Sequence, residues 1–217
     1  MKACILVRGI HYDKKYNNGN HPPYIGQDFR KSITNFNEYI LKPLQKSYKQ
    51  VDIITATYDS ELYSEMISSY KPIKQIVIPF TNKRNQVIVD GLQAIKESNV
   101  HYDLILIYRF DIILKQTITY LNYDIKKFNI PFKDLQGSDG LWPFHHRICD
   151  GFFIFNGSLL EGTIKAFKEK FMDSKTHQHT YNHLCKHLSK ESVHFIIDKE
   201  LRCNNGISEN PLYRNRL

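Results

Sequence analysis

The sequence has no apolar run approaching the roughly 18–20 residues that a membrane helix requires, which excludes a helical span. Its opening stretch, Met1 to Arg8, is too short for a signal peptide and reads as a strand. There is no CxxC pair. The four cysteines, Cys4, Cys149, Cys185 and Cys203, are scattered through a chain too long to depend on disulfides, so reduced thiols and a cytoplasmic location are expected. His183, Cys185 and His187 lie two apart, which matches no zinc spacing and points to structural roles. No glycine-rich fingerprint follows the first strand and no Walker A sequence occurs anywhere, so the two commonest glycine cradles for phosphate are missing. Recognition-helix patterns, RNP-like runs and basic-aromatic stripes are absent as well, and no nucleic-acid partner is expected. Repeats, low-complexity segments and interdomain linkers are also lacking.

What remains is the composition of a folded globular chain. Of 217 residues, 41% are hydrophobic and 24% charged, which suits one domain spanning residues 1–217 with a single good core. Thirty basic residues against 22 acidic ones give a net charge of +8, which favours anionic partners such as nucleotide diphosphates, nucleic acid or an acidic membrane surface. The basic residues are dispersed, so most of this charge reads as solvated surface.

Along the chain, strands and helices alternate. Ala3–Val7 is an apolar strand, followed by a long Gly/Asn/Pro-rich loop to about Gly26. Asp28 is placed to cap a helix with Phe29, Ile33, Phe36, Ile40 and Leu44 on one face, its last turn limited by Pro43. Val51–Thr57 reads as a β-branched strand, and a helix capped by Asp59 or Ser60 carries Leu62, Met66 and Ile67. A third strand over Gln75–Pro79 and a helix over Lys83–Ser98 lead to Leu104–Tyr108, a continuous apolar run suited to a strand buried on both faces. Ile118–Leu135 is aromatic and turn-rich. Phe152–Phe155 is a short strand, after which Ser158 is expected to cap a helix bearing Leu160, Ile164, Phe167 and Phe171. A helix at His179–Leu188 and a strand at Val193–Ile197 follow. The fold class is therefore α/β, with a mainly parallel sheet flanked by helices.

In open parallel sheets ligands bind beyond the carboxyl ends of the strands. Those ends are Arg8-Gly9, Tyr58-Asp59, Thr81-Asn82-Lys83-Arg84-Asn85 and Arg109-Phe110-Asp111, and three of the four bring a cation suited to phosphate oxygens. A carboxylate at the end of the central strand, Asp111, is placed to hold Mg²⁺ or Mn²⁺, which takes oxygen ligands and bridges to phosphate. Capping the strand end, or pairing with Arg109, are the structural alternatives for the same residue.

At this point the sequence resembles glycosyltransferases of GT-A fold. Their metal motif, usually Asp-x-Asp, follows an apolar strand, and Tyr102 to Asp111 is similar to the Arg-x-Asp variant of small viral and bacterial polysaccharide transferases. Asn82-Lys83-Arg84-Asn85-Gln86 with Gly91-Leu92 is similar to the segment preceding that strand. Cys149-Asp150-Gly151-Phe152-Phe153 is similar to their later Asp-plus-aromatic motif, and the resemblance covers roughly residues 1–160.

The resemblance implies a nucleotide-binding half over residues 1–111 and an acceptor half over 112–217. It implies transfer of a sugar from a nucleoside diphosphate donor, a UDP-sugar, to a hydroxyl of a glycan or glycoprotein, in the cytoplasm of a bacterium or of a virus's host. Arg8, Gly9, Arg84, Asn85 and Arg109 would meet the diphosphate, Asp59 and Tyr58 the base, and Asp111 a Mn²⁺ or Mg²⁺ ion. Asp150 would act as general base in an inverting reaction, with Trp142, His145 and His146 as an acceptor platform. One late histidine among His177, His179, His183, His187 and His194 would complete a metal site.

Each assignment has a structural alternative: surface ion pairs for Arg8 and Arg84, helix capping for Asp59, a turn before Gly151 for Asp150, and loop positions for His145 and His146. Because Arg109 stands where the usual motif has its first carboxylate, dependence on metal stays open. Two other functions stay open too: a nucleotidyltransferase-like enzyme, and a non-catalytic basic module for glycans or nucleic acid.

Overall fold

The computed structural model describes residues 1–10, 12–13, 27–79, 84–134, 146–172, 180–201 and 211–215. In chain order, β1 (Lys2–Gly9) is followed by the two-residue strands β2 (Tyr12–Asp13) and β3 (Gln27–Asp28). A helical segment then comprises a 3-10 turn at Phe29–Lys31, α1 (Ile33–Phe36), a π turn at Asn37–Leu41 and α2 (Lys42–Ser47). Next come β4 (Gln50–Tyr58), α3 (Tyr63–Tyr70), β5 (Lys74–Ile78), α4 (Arg84–Glu97), β6 (Leu104–Arg109) and β7 (Ile112–Leu114). After a 3-10 turn at Ile118–Tyr120, the described chain continues through β8 (Phe128–Ile130), β9 (Lys133–Asp134), β10 (Phe152–Phe155), α5 (Leu160–Met172) and α6 (Thr180–Leu188). It closes with β11 (Val193–Phe195), β12 (Glu200–Leu201) and β13 (Tyr213–Asn215).

Seven strands form the main sheet in the order β11-β8-β10-β6-β1-β4-β5. β1 pairs in parallel with both β4 and β6, β5 continues in parallel beyond β4, and only β10 runs against its neighbours. The period of two in the central strands explains the layering. On β1, Ala3, Ile5 and Val7 enter one core cluster, whereas Cys4 and Leu6 enter the other. β6 repeats this, with Leu104, Leu106 and Tyr108 on the first side and Ile105 and Ile107 on the second. Phe29, Phe36, Ile40, Leu44, Met66 and Tyr70 cover the first face, and Val87, Leu92, Ile95, Ile164 and Phe167 the second. Full burial of each such side chain contributes about 1.5–3 kcal/mol, so the two layers carry most of the stability. Among the described residues no helix is long and apolar enough to cross a membrane.

Several local expectations are corrected. The helix after Asp28 is not uniform: Asp28 caps only the 3-10 turn, through Arg30 N at 3.0 Å. Pro43 does not end the helix, which runs on to Ser47. The preceding π turn, in which Lys42 N–H reaches Asn37 O, widens the backbone where a proline ring would otherwise crowd the earlier carbonyl. Neither Asp59 nor Ser60 caps α3, which starts only at Tyr63 after Leu62; Ser60 Oγ instead accepts from Leu62 N at 3.2 Å. The cap before α5 is Asn156, whose side chain accepts from Ser158 N at 2.9 Å. The turn-rich stretch after Ile118 contains β8, a strand of the main sheet.

Asp103 ties strand ends together: a carboxylate oxygen accepts from Lys2 N at 2.7 Å, and its carbonyl accepts from Asn156 Nδ2 at 2.8 Å. Next to it, Gly157 N donates to Tyr102 O at 3.0 Å, and a Cβ on Gly157 would lie 2.2 Å from that same carbonyl. Backbone cannot rotate away as a side chain can. Gly157→Ala is therefore expected to destabilise the protein by about 1–3 kcal/mol through overpacking, read as a lower urea midpoint; an unchanged midpoint would mean that the α5 entry shifts freely.

Candidate functional site

Two of the strand ends expected to carry chemistry, those of β1 and β6, come together. β1 and β6 are adjacent and in register, with Arg8 opposite Arg109. By the same alternation that sorts the core, both side chains leave the sheet on the side of Cys4, Leu6, Ile105 and Ile107. Gly9 ends β1 with φ at +106°, a backbone conformation that suits glycine, and its carbonyl accepts from Thr57 Oγ1 at 2.7 Å. Asp150 arrives from the turn before β10, fixed by Arg109 N donating to Gly151 O at 3.1 Å.

The side chains of Arg8, Arg109, Asp111 and Asp150 form one cluster. Arg109 Nε donates to Asp111 Oδ1 at 2.8 Å, its Nη2 donates to Asp111 Oδ2, and its Nη1 donates to Asp150 Oδ1 at 2.8 Å. Arg8 Nη2 donates to the Asp150 carbonyl and lies 3.6 Å from its carboxylate. Burial lowers the affinity of the Arg8 guanidinium for its proton, and Asp150 offsets part of that loss. Burial also opposes the charge on Arg109, but Asp111 and Asp150 outweigh it and hold the group protonated well above the ordinary range. Arg8 is only 6% exposed, and its Nε finds no hydrogen-bond partner among the described residues. A buried cation with a spare donor is costly unless an anion meets it.

The middle residue of the motif is core. Phe110 is 1% exposed and stands edge-to-face on Tyr70 with centroids 5.3 Å apart, while its carbonyl accepts from Ser32 Oγ. β7 follows at once and pairs with β13, bringing in Tyr213. The Tyr213 hydroxyl meets Cys149 Sγ, and its ring packs against Phe132 and Phe152. A Cβ on Gly151 would lie 2.6 Å from that ring, so glycine is needed there for close approach. Ser32 and Tyr213 were not expected at the site. Ser32 could have been sought as a small polar residue inside an apolar helical face, whereas Tyr213 lies in a tail without periodicity.

The other expected site residues divide. Asp59 is exposed at the end of β4. Tyr58 does not offer an open ring for stacking: it is 4% exposed and packs in the second core cluster, because alternation along β4 turns it inward. Arg84 and Asn85 open α4, but their side chains lie outside the described set, as do Trp142 and His145 entirely. His146 is described, with φ at +49° and its ring 5.7 Å from Tyr181. Of the late histidines, His177 and His179 lie outside the described residues, and His194 Nε2 is 3.4 Å from Asn122 O. His183 Nδ1 and His187 Nε2 both face Glu169 on α5, at 3.0 and 3.1 Å. Lys186, His187 and His183 together hold the Glu169 carboxyl at about 2.

A divalent cation at Asp111 would need carboxylate oxygens free to bind it. Here both already accept from Arg109, whose charge would repel the ion, and among the described residues no group of three His, Cys, Asp or Glu side chains is arranged to hold a metal ion. In this arrangement the described residues do not fit such an ion. The described cysteines, Cys4, Cys149 and Cys185, are free thiols. An open depression of about 550 Å³ at the opposite end of the sheet, lined by Met1, Tyr48, Asp103 and Tyr123 among others, shares no residue with the cluster.

Among solved structures, glucosyl-3-phosphoglycerate synthase from Mycobacterium tuberculosis, determined with Mn²⁺, UDP and glucosyl-3-phosphoglycerate, superposes with a TM-score of 0.53 at 8% identity, over 89% of this chain and 68% of that one. The chain has a GT-A-like fold. A nucleoside-diphosphate-sugar pyrophosphorylase from Vibrio cholerae matches with a TM-score of 0.50 and 13% identity, over 91% of this chain and 92% of that one. TarS from S. aureus matches with a TM-score of 0.52 and 9% identity, over all of this chain but only 37% of that one. At these identities the likeness concerns the GT-A-like architecture itself. No protein-family model matches the sequence, and a search of curated proteins finds no match.

Proposed function

We propose that this protein is a glycosyltransferase that moves a sugar from a nucleoside diphosphate donor, a UDP-sugar, to a hydroxyl of a glycan or glycoprotein, acting as a soluble enzyme of the cytoplasm. The observation that carries the reading is the side-by-side placement of Arg8 and Arg109 at the carboxyl ends of two adjacent parallel strands, where GT-A-like and other open α/β sheets bind their ligands. Negative charge builds on the diphosphate as the glycosidic bond breaks, and cations fixed beforehand in a partly buried site act most strongly on developing charge. Asp59, exposed one strand away at the end of β4, would read the base. Transfer is favoured over nucleotidyl transfer because β1 ends in Arg8-Gly9 rather than in a glycine-rich phosphate loop.

The test is thermal unfolding with a panel of nucleoside diphosphates and their sugars. A ligand that binds only the folded state at about 100 times its Kd stabilises by about 2.7 kcal/mol. UDP and at least one UDP-sugar are expected to raise Tm, with ADP and GDP weaker. A panel without any shift would remove the reading, and salt-sensitive binding to RNA or DNA alone would replace it with a basic binding module.

A further inference from the structure

We propose that Arg109 is itself the cation of the donor site, so that the diphosphate is held by Arg109 and Arg8 without a divalent metal, and that the motif carboxylate of Asp111 orients Arg109 instead of ligating an ion. The inference rests on the nucleotide-sugar reading and deepens it.

Three observations carry it. First, the Asp111 side chain gives one oxygen to Arg109 Nε and the other to Nη2, the fork geometry in which guanidinium and carboxylate match best. A metal at Asp111 would have to share each oxygen with that fork and stand beside its positive charge. Second, Nη1 of the same guanidinium takes Asp150, the only other carboxylate of the cluster, so both acidic groups already serve Arg109. An incoming divalent ion would meet two guanidiniums as well as two carboxylates. Third, among the described residues the cluster keeps donors in reserve. A guanidinium has five N–H groups, and the contacts above use three on Arg109, leaving one each on Nη1 and Nη2. Arg8 adds its unpartnered, buried Nε. Spare N–H donors on fixed cations suit phosphate oxygens, which accept hydrogen bonds and repel carboxylates.

The experiment is calorimetric titration of the full chain with two probes, inorganic pyrophosphate and UDP, each in EDTA and each in excess Mn²⁺. Both probes are expected to bind in EDTA with affinities within about threefold of those in Mn²⁺. Arg109→Ala is expected to weaken both by roughly tenfold to a hundredfold, as for loss of a charged hydrogen-bonding partner, and Arg109→Lys, which keeps the charge but not the fork, to recover part of that loss. Asp111→Asn is expected to keep binding within about tenfold of wild type in EDTA and in Mn²⁺ alike, whereas loss of a metal ligand would abolish binding that depends on Mn²⁺.

UDP binding that requires Mn²⁺ and vanishes in Asp111→Asn would overturn the inference and leave the donor reading standing. Pyrophosphate binding in EDTA without any UDP binding would keep the arginine site and remove the nucleotide. Failure of both probes under both conditions would remove both.

Discussion

Phe110→Ala is expected to destabilise the protein by about 3–5 kcal/mol, the range for deleting a fully buried aromatic ring. The residue sits between the two charged members of the motif, yet it is 1% exposed and belongs to the first core cluster. Its ring meets Tyr70 edge-to-face, and Tyr70 in turn meets Phe36 at 4.8 Å, so the deletion opens a space in a chain of aromatic contacts linking the end of β6 to α3 and α1. Against a total stability of about 5–15 kcal/mol for a domain, this is a large fraction. Urea unfolding checks it, with Phe110→Leu as a smaller-volume control expected to cost much less. A cost below about 1 kcal/mol for the alanine variant would mean that the ring is not part of the packed core.

Arg8→Met is expected to do the reverse: to leave stability unchanged or raise it, while weakening diphosphate binding by about a hundredfold. Taking a guanidinium out of water is expensive, and burial is the largest influence on the Arg8 group. Its acidic partner, Asp150, is half-exposed and 3.6 Å away, so the ion pair returns little of that cost. Methionine follows the same stem without the charge and suits irregular space. Denaturant midpoints and pyrophosphate titration on the same samples separate the two effects. If Arg8→Met unfolds the protein, Arg8 is structural; if it binds pyrophosphate like wild type, Arg8 plays no part in holding the anion.

The strands and helices of the first half were legible because hydrophobic period and length distinguish them. The run Leu104–Tyr108 suited a strand covered on both faces, and Arg109 and Asp111 followed at its end. That Arg8 stands beside Arg109 needed the register of two strands about a hundred residues apart in sequence, which no local pattern encodes. The burial of Tyr58 was hidden for a related reason. Its place at a strand end suggested exposure, but the same alternation that carries Ile54 and Ala56 into the second core cluster takes its ring there too. Helix beginnings were the least legible. Asp59 and Ser158 have the side chains of good caps, but Asn156 and the backbone after Leu62 set where the helices start. β7 and β13 are three residues each, and neither has enough length to show a period.

The pairing of β13 with β7 has a kinetic side. It joins Ile112 to Asn215 and Leu114 to Tyr213, partners separated by most of the second half of the chain. Loop closure of that span carries an entropy cost that contacts formed nearer in sequence do not. The pairing of β1 with β6 closes a comparable span, so the arginine pair and the packing of Tyr213 on Cys149 and Gly151 both depend on long-range closure. Asp150 lies between those two residues, so the carboxylate that meets both arginines is held from one side by β6 and from the other by the packing of β13.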